Sequence, residues 1–307
     1  MLTRNRNRKL LFSGAALGAV TLALAGCVAS ADDVASGGSS SGGDSKGSLT
    51  IPAIAGWDEG VASSELWKAV LEEQGYSVDI EYADAATVYA GLAAGDYDFY
   101  TDTWMPLTHK TYMDEYGDDI ATLGTWNEDA QNTIAVNADA PIDSLTELAD
   151  HADEFGDTLV GIEPGAGLTE ATQDRVIPTY GLEGMDYQTS STAAMLTELQ
   201  ASEDAGENVV VTLWQPHWAY SKFDLKNLED PENTLGDAET MQVTARSDFA
   251  DDYPELADWL SNFTMSLDQL QSLEAVMFSD DEEIDDFGPV VSDWIADNQD
   301  YVDGLTA

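Results

Sequence analysis

The stretch LTIPAIAGWDEGVASSELWKAVLEEQGYSVDIEYADAATVYAGLAAGDYDFY, residues 49–100, decides the fold. Leu49 to Ala55 is a short apolar strand candidate. Glu59 to Gln74 then sets Leu66, Trp67, Val70 and Leu71 at helical spacing in front of Gly75. Val78, Ile80 and Tyr82 alternate as in a strand, a second helix carrying Val88 and Leu92 stops at Gly95, and Tyr97 and Phe99 alternate again. Strand, helix, strand, helix, strand predicts a parallel α/β sheet with its functional loops at the carboxyl ends of the strands.

Working outward, a second α/β unit is expected after a break at Asn137 to Pro141. Ser144 and Glu147 form a capping box before a short helix. Thr158 to Ile162 reads as a buried strand running into Glu163-Pro164-Gly165-Ala166-Gly167 and a helix that Pro178 should end or kink before Gly181. Ser190 or Ser191 caps a helix with Met195 and Leu199, ahead of the apolar strand Val209 to Leu213. From Gln242 onward the chain reads as helical, most clearly over Asp258 to Asn262 and Val290 to Asn298. Two such units predict two lobes, residues 49–137 plus 240–307 and residues 138–239, with a small-molecule site in the cleft between them.

Composition narrows the function. The 307 residues hold 11 Lys and Arg against 59 Asp and Glu, a formal charge of -48, with a single Cys. Such a surface repels nucleic-acid backbones and anionic headgroups, which need basic side chains. One Cys excludes a disulfide framework and Cys-rich metal sites, and neither a metal nor a cofactor is expected. Arg4, Arg6, Arg8 and Lys9 precede the apolar run Leu10 to Ala25, which ends at Gly26-Cys27. This order of charge, apolar run and small residues before a Cys resembles the signal peptide and lipobox of bacterial lipoproteins, residues 1–26, with Cys27 lipidated. Residues 27–48 are Ser/Gly-rich and read as a flexible tether, reaching roughly 25 Å. Without residues 1–26, seven basic side chains face 59 acidic ones, a charge of -52. That excess suits concentrated salt, where the Debye length shrinks to about 3 Å at 1 M, and a halophilic source is expected.

The aromatic residues carry the chemistry. Trp57, Trp104 and Trp214 each fall where a strand candidate ends, the edge on which α/β proteins place ligands. Trp67, Trp259 and Trp294 lie in helical patterns and read as packing, whereas Trp126 and Trp218 fit either role. Three converging indoles form a box for a cation that donates no hydrogen bonds, such as a quaternary ammonium. Each face contributes about 0.5–2 kcal/mol when desolvated. Micromolar binding needs about 8 kcal/mol, so a second anchor is required.

Gly56-Trp57-Asp58-Glu59-Gly60, Asp102-Thr103-Trp104-Met105-Pro106-Leu107-Thr108-His109-Lys110, Val160-Gly161-Ile162-Glu163-Pro164-Gly165-Ala166-Gly167 and Leu213-Trp214-Gln215-Pro216-His217-Trp218, with Leu228-Glu229-Asp230-Pro231, follow one another in order. Together they resemble the substrate-binding proteins of ABC-type glycine betaine/proline betaine importers, over residues 49 to 300. The resemblance implies a two-lobed periplasmic-binding-protein-like fold of type II. It implies an ammonium cage of Trp57, Trp104 and Trp214, and a carboxylate site made by the Gly161 and Ile162 amides with His109. His217 and Pro216 are expected behind the ligand, shaping the loop of Trp214. The implied protein is a monomeric, membrane-anchored receptor that binds glycine betaine and serves permease and ATPase subunits in osmoprotection. Other guests of the same chemistry are proline betaine, carnitine, choline and dimethylsulfoniopropionate, and a ligand-presenting sensor module is the other role. No His-Glu-x-x-His or Walker pattern points to an enzyme.

Overall fold

The computed structural model describes residues 46–278 and 284–307. The expected signal peptide, Cys27 and the tether up to residue 45 lie outside the described residues. Among the described residues, no helix is long and apolar enough to cross a membrane.

The opening stretch folds largely as read. β1 (Ser48–Ala53) lies parallel to β2 (Ser77–Tyr82), connected by α1 (Asp58–Glu73), which buries Leu66, Trp67, Val70 and Leu71. α2 (Ala85–Ala94) is capped by Asp84, whose carboxylate accepts from the Thr87 N–H at 2.9 Å. It ends at Gly95, whose φ of 78° is left-handed and suits glycine. The parallel order then stops. β3 (Phe99–Met105) pairs antiparallel with β9 (Glu239–Arg246), not in parallel with β1. Just before β3, the Asp98 carboxylate accepts from the Thr50 N–H at 2.8 Å and its own N–H donates to the Thr50 carbonyl, which satisfies the edge of β1 locally.

α3 (Lys110–Tyr116) leads to β4 (Ile120–Asn137), which belongs to two sheets. Its residues Ile120 to Ala130 pair with β9, and Gln131 to Val136 pair with β7 (Val210–Gln215). The change of sheet therefore comes near Ala130, ahead of the break expected at Asn137 to Pro141. The second sheet is completed by β5 (Thr158–Gly161), parallel to β6 (Asp186–Thr189) and to β7, and by β8 (Leu225–Asn227) against β4. The chain returns in β9 to lie between β3 and β4. There the helical reading from Gln242 fails, because Met241, Val243 and Ala245 are buried at period two and extend as a strand through Arg246.

Around the second sheet, the Ser144–Glu147 capping box starts α4 (Leu145–Leu148). α5 (Gly167–Ala171) runs through one wide π turn, 172–176, into α6 (Ile177–Tyr180), ending at left-handed Gly181. Pro178 has no N–H for the ladder, and the wide turn just before it is where the helix accommodates this. Ser191 caps α7 (Thr192–Ala205), and α8 (Ala219–Lys222) is a single turn. The C-terminal helices α9 (Phe249–Asp252), α10 (Pro254–Ser261), α11 (Leu267–Phe278), α12 (Gly288–Asp297) and α13 (Gln299–Leu305) follow β9, with α11 and α12 packed on α1.

Arg246 ties this lobe together. Its Nε donates to Asp98 at 3.0 Å, its guanidinium also bonds Asp248 and Asp252, and its side chain is 12% exposed. Since Asp98 also holds β1, Arg246→Met should lower stability by about 2–3 kcal/mol, leaving a half-buried carboxylate unpaired. Urea unfolding at fixed salt checks this, and a loss within about 0.5 kcal/mol would show the node to be inert.

Candidate functional site

The site forms where strands of both sheets end. Trp57 follows β1 and precedes α1, Trp104 closes β3, His109 precedes α3, Ile162 follows β5 and Trp214 lies near the end of β7. These five line one cavity, together with Glu59, Thr108, Asn132 and the turn Ala166 to Leu168. Gly161 is buried one residue behind the lining, where a Cβ would lie 2.5 Å from the Tyr187 ring. Pro216 and His217 are outside the lining. His217 stands edge-on to Trp214 with ring centroids 4.8 Å apart, so it packs behind that indole.

Each of the three indoles turns its N–H toward a carboxyl group. Trp104 Nε1 donates to Asp102 Oδ1 at 2.6 Å. Trp57 Nε1 donates to Glu163, whose other oxygen accepts from the Thr192 N–H at 3.0 Å and the Thr192 hydroxyl at 3.1 Å. Trp214 faces the Glu59 carboxyl without a well-aligned hydrogen bond. With their polar edges directed at these groups, the rings line the cavity with apolar surface, and His109 stacks on Trp57 at 5.3 Å and 14°. Asp102 is fully buried, and burial pushes its carboxyl up to about 7, against the lowering effect of the Trp104 and Tyr100 hydrogen bonds.

His109 is held in one tautomer. Its Nδ1 accepts the Trp104 N–H at 2.8 Å, so the proton of the neutral ring sits on Nε2, which has no partner within the protein. Burial pulls its pKa down to about 3, so the ring is an uncharged donor at neutral pH. The loop carrying it is fixed by buried Glu239, which accepts the Leu107 N–H at 2.6 Å and the Thr108 N–H at 2.9 Å. Asn132 on β4 adds a bond to the Thr108 hydroxyl at 2.6 Å. His217 repeats the pattern on the other lobe, its Nδ1 accepting the Ala219 N–H at 3.0 Å and its pKa pulled down to about 3 by burial. Trp104 and Trp214 are each followed by a residue and a cis proline, Pro106 and Pro216.

The two lobes are closed on each other. Besides Trp57 to Glu163, the Trp218 indole donates to Asp58, and the Tyr112 hydroxyl donates to the Gly165 carbonyl at 2.7 Å. Thr111 reaches Glu170 at 3.2 Å at the mouth. Two glycines allow the approach: a Cβ on Gly167 would lie 1.8 Å from the Thr108 carbonyl oxygen, and one on Gly56 would lie 2.8 Å from Thr192 Cβ. Glu59, Thr108, Asn132, Ala166, Gly167 and Leu168 are lining residues that the sequence did not single out. All but Asn132 and Leu168 sit inside the quoted motifs, so the Trp57-x-Glu59 spacing and the Gly-Ala-Gly turn were the available signals.

A two-lobed α/β protein that encloses a small aromatic cavity between the strand ends of its lobes defines a ligand-binding protein of the type II periplasmic-binding-protein-like fold. The chain belongs to the family of substrate-binding domains of ABC-type glycine betaine transport systems, whose family model matches residues 48–297. It is 36% identical over 165 residues to the glycine betaine/carnitine transport binding protein GbuC of Listeria monocytogenes, covering 53% of this chain and 52% of that relative, about half the relative's length. It is similar in structure to lactococcal OpuAC in its closed-liganded conformation complexed with glycine betaine, with a TM-score of 0.78, 27% identity, and coverage of 85% of this chain and 99% of that one. An ABC-transporter choline binding protein in complex with choline gives a TM-score of 0.76, 25% identity, and coverage of 83% and 90%. By family it is a transport binding protein and not an enzyme.

Proposed function

We propose that this protein is the extracytoplasmic receptor of an ABC importer and that it binds glycine betaine. Trp57, Trp104 and Trp214 enclose the trimethylammonium group, and His109 with the Gly161 and Ile162 amides holds the carboxylate. The observation that carries this reading is that three indoles and the unpartnered His109 Nε2 line a single cavity. Aromatic faces stabilise a cation that carries methyl groups instead of N–H. A neutral imidazole N–H donates to an anion without bringing a charge that would repel the ammonium. The lobes then close around a guest that touches both. The lobe built on β3 and β9 supplies Trp57, Trp104 and His109, and the lobe built on β5 and β7 supplies the rest. In this reading Cys27 anchors the monomer by lipid to the outer face of the membrane, the permease and ATPase subunits take up the ligand, and the acidic surface serves a salt-adapted cell.

Calorimetric titration of the soluble form beginning at Val28, in molar salt, tests the ligand. Saturable binding of glycine betaine supports the reading, and a folded protein that gives no heat with betaine or choline sinks it. The same titration ranks proline betaine, carnitine and dimethylsulfoniopropionate. His109→Ala should weaken betaine by about 10- to 100-fold, the loss of one hydrogen bond to a charged group. Choline has no carboxylate and should lose much less, so equal losses would contradict the assigned role.

A further inference from the structure

Glu59 lines the cavity, is 2% exposed, and its Oε2 has no hydrogen-bond partner. It belongs to a buried acidic cluster contributed by three elements. Asp102 on β3 and Glu274 on α11 both act on it electrostatically, and Asp58 lies beside it on α1. Glu274 is fully buried and neither of its carboxyl oxygens has a partner. The other groups facing the cluster are neutral: the Trp214 indole toward Glu59, the Trp104 indole and the Tyr100 hydroxyl on Asp102, the Trp218 indole on Asp58, and His109 across the cavity. None of the groups acting on Glu59 is a cation. Buried charges are normally paired, and an unpaired carboxyl at such a site keeps its proton. Burial and the neighbouring carboxyls hold Glu59 well above the usual carboxylate range, and burial pushes Asp58 up to about 6 against the lowering effect of the Trp218 hydrogen bond.

Resting on the betaine reading, we propose that Glu59 is the counter-charge of the bound ammonium and releases its proton to solvent when the cation enters. The cavity then holds the pair that the protein does not supply from its own side chains. Entry of a positive charge favours the carboxylate, and the O–H proton passes to water or buffer. Linkage fixes the direction: a ligand that displaces a proton binds more tightly as pH rises, by up to about tenfold per pH unit for a full proton.

The experiment is calorimetry at pH 6.5 in two buffers of different ionisation enthalpy, with Kd followed from pH 5.5 to 7.5, for the wild type and Glu59→Gln. Choline is titrated beside glycine betaine, because a carboxylate can draw a proton onto His109 and mask a release. Wild type should release a proton with choline, and its Kd should fall about tenfold or more over the range. Glu59→Gln mimics the protonated acid. It should release none, and its affinity should stay near the acidic wild-type value at every pH. Binding of choline by wild type without proton release, or of glycine betaine with the same proton exchange in wild type and Glu59→Gln, overturns the inference while leaving the betaine reading standing. If Glu59→Gln still releases the proton and Glu274→Gln does not, the assignment to Glu59 is wrong. Failure of both ligands to bind removes the reading beneath it, a different result. Should Glu59→Gln not fold, the wild-type measurement alone still decides whether a proton leaves.

Discussion

Trp104→Ala should weaken betaine binding by about 100-fold or more. The substitution removes one desolvated cation–π wall, worth about 2 kcal/mol, and opens a void in a cavity whose other walls are fixed. It also strips Asp102 of the indole N–H that it accepts at 2.6 Å, while that carboxyl stays fully buried. Together these come to about 3 kcal/mol or more, two decades in Kd. Trp104→Phe should fall between, because it keeps one aromatic ring and loses the second ring with its N–H. Titration beside thermal unfolding separates binding from folding. Affinity within about threefold of wild type, from a folded Trp104→Ala protein, would sink the cage.

Gly167→Ala should abolish tight binding by a different route. The added Cβ would lie 1.8 Å from the Thr108 carbonyl oxygen across the cleft. That oxygen cannot yield easily, since Glu239 and Asn132 hold the Thr108 loop by its backbone N–H groups and its hydroxyl. The collision exists only when the lobes meet, and Gly167 does not have the left-handed φ that would strain an alanine in the separated lobes. The expected result is a ligand-free protein as stable as wild type with affinity about 100-fold weaker, a closure cost near 3 kcal/mol. Small-angle scattering with saturating betaine should keep the radius of gyration of the unliganded protein. Normal affinity and normal compaction would show that the Thr108 loop moves aside.

Much of this was legible in the residues. The first strands and helices repeat their hydrophobic periods cleanly, and Gly75 and Gly95 end their helices by left-handed conformations that glycine adopts freely. β4 was invisible because its pairing with β9 shifts register between Thr122 and Gly124, between Thr125 and Asn127 and between Asn127 and Ala130, so no period survives. With β4 unseen, Asn132 had no position. The antiparallel course of β3 is set by its pairing with β9, between residues more than 130 apart such as Met105 and Thr240. Glu59 escaped for a compositional reason: among 59 acidic residues one carboxylate gives no signal, and only burial sets it apart. The strand-end tryptophans were legible by position, and their convergence on one cavity belongs to the tertiary structure.

A strand common to two sheets behaves as a torsion spring. β4 is laddered to β9 on one side of Ala130 and to β7 on the other, so the lobes are joined there by extended, hydrogen-bonded backbone and not by a loop. Parting the lobes must twist that ribbon, storing elastic energy spread over many bonds, each strained slightly. Such a joint has one soft direction and returns along it, so the cleft can snap shut and reopen repeatedly without searching among disordered linker conformations.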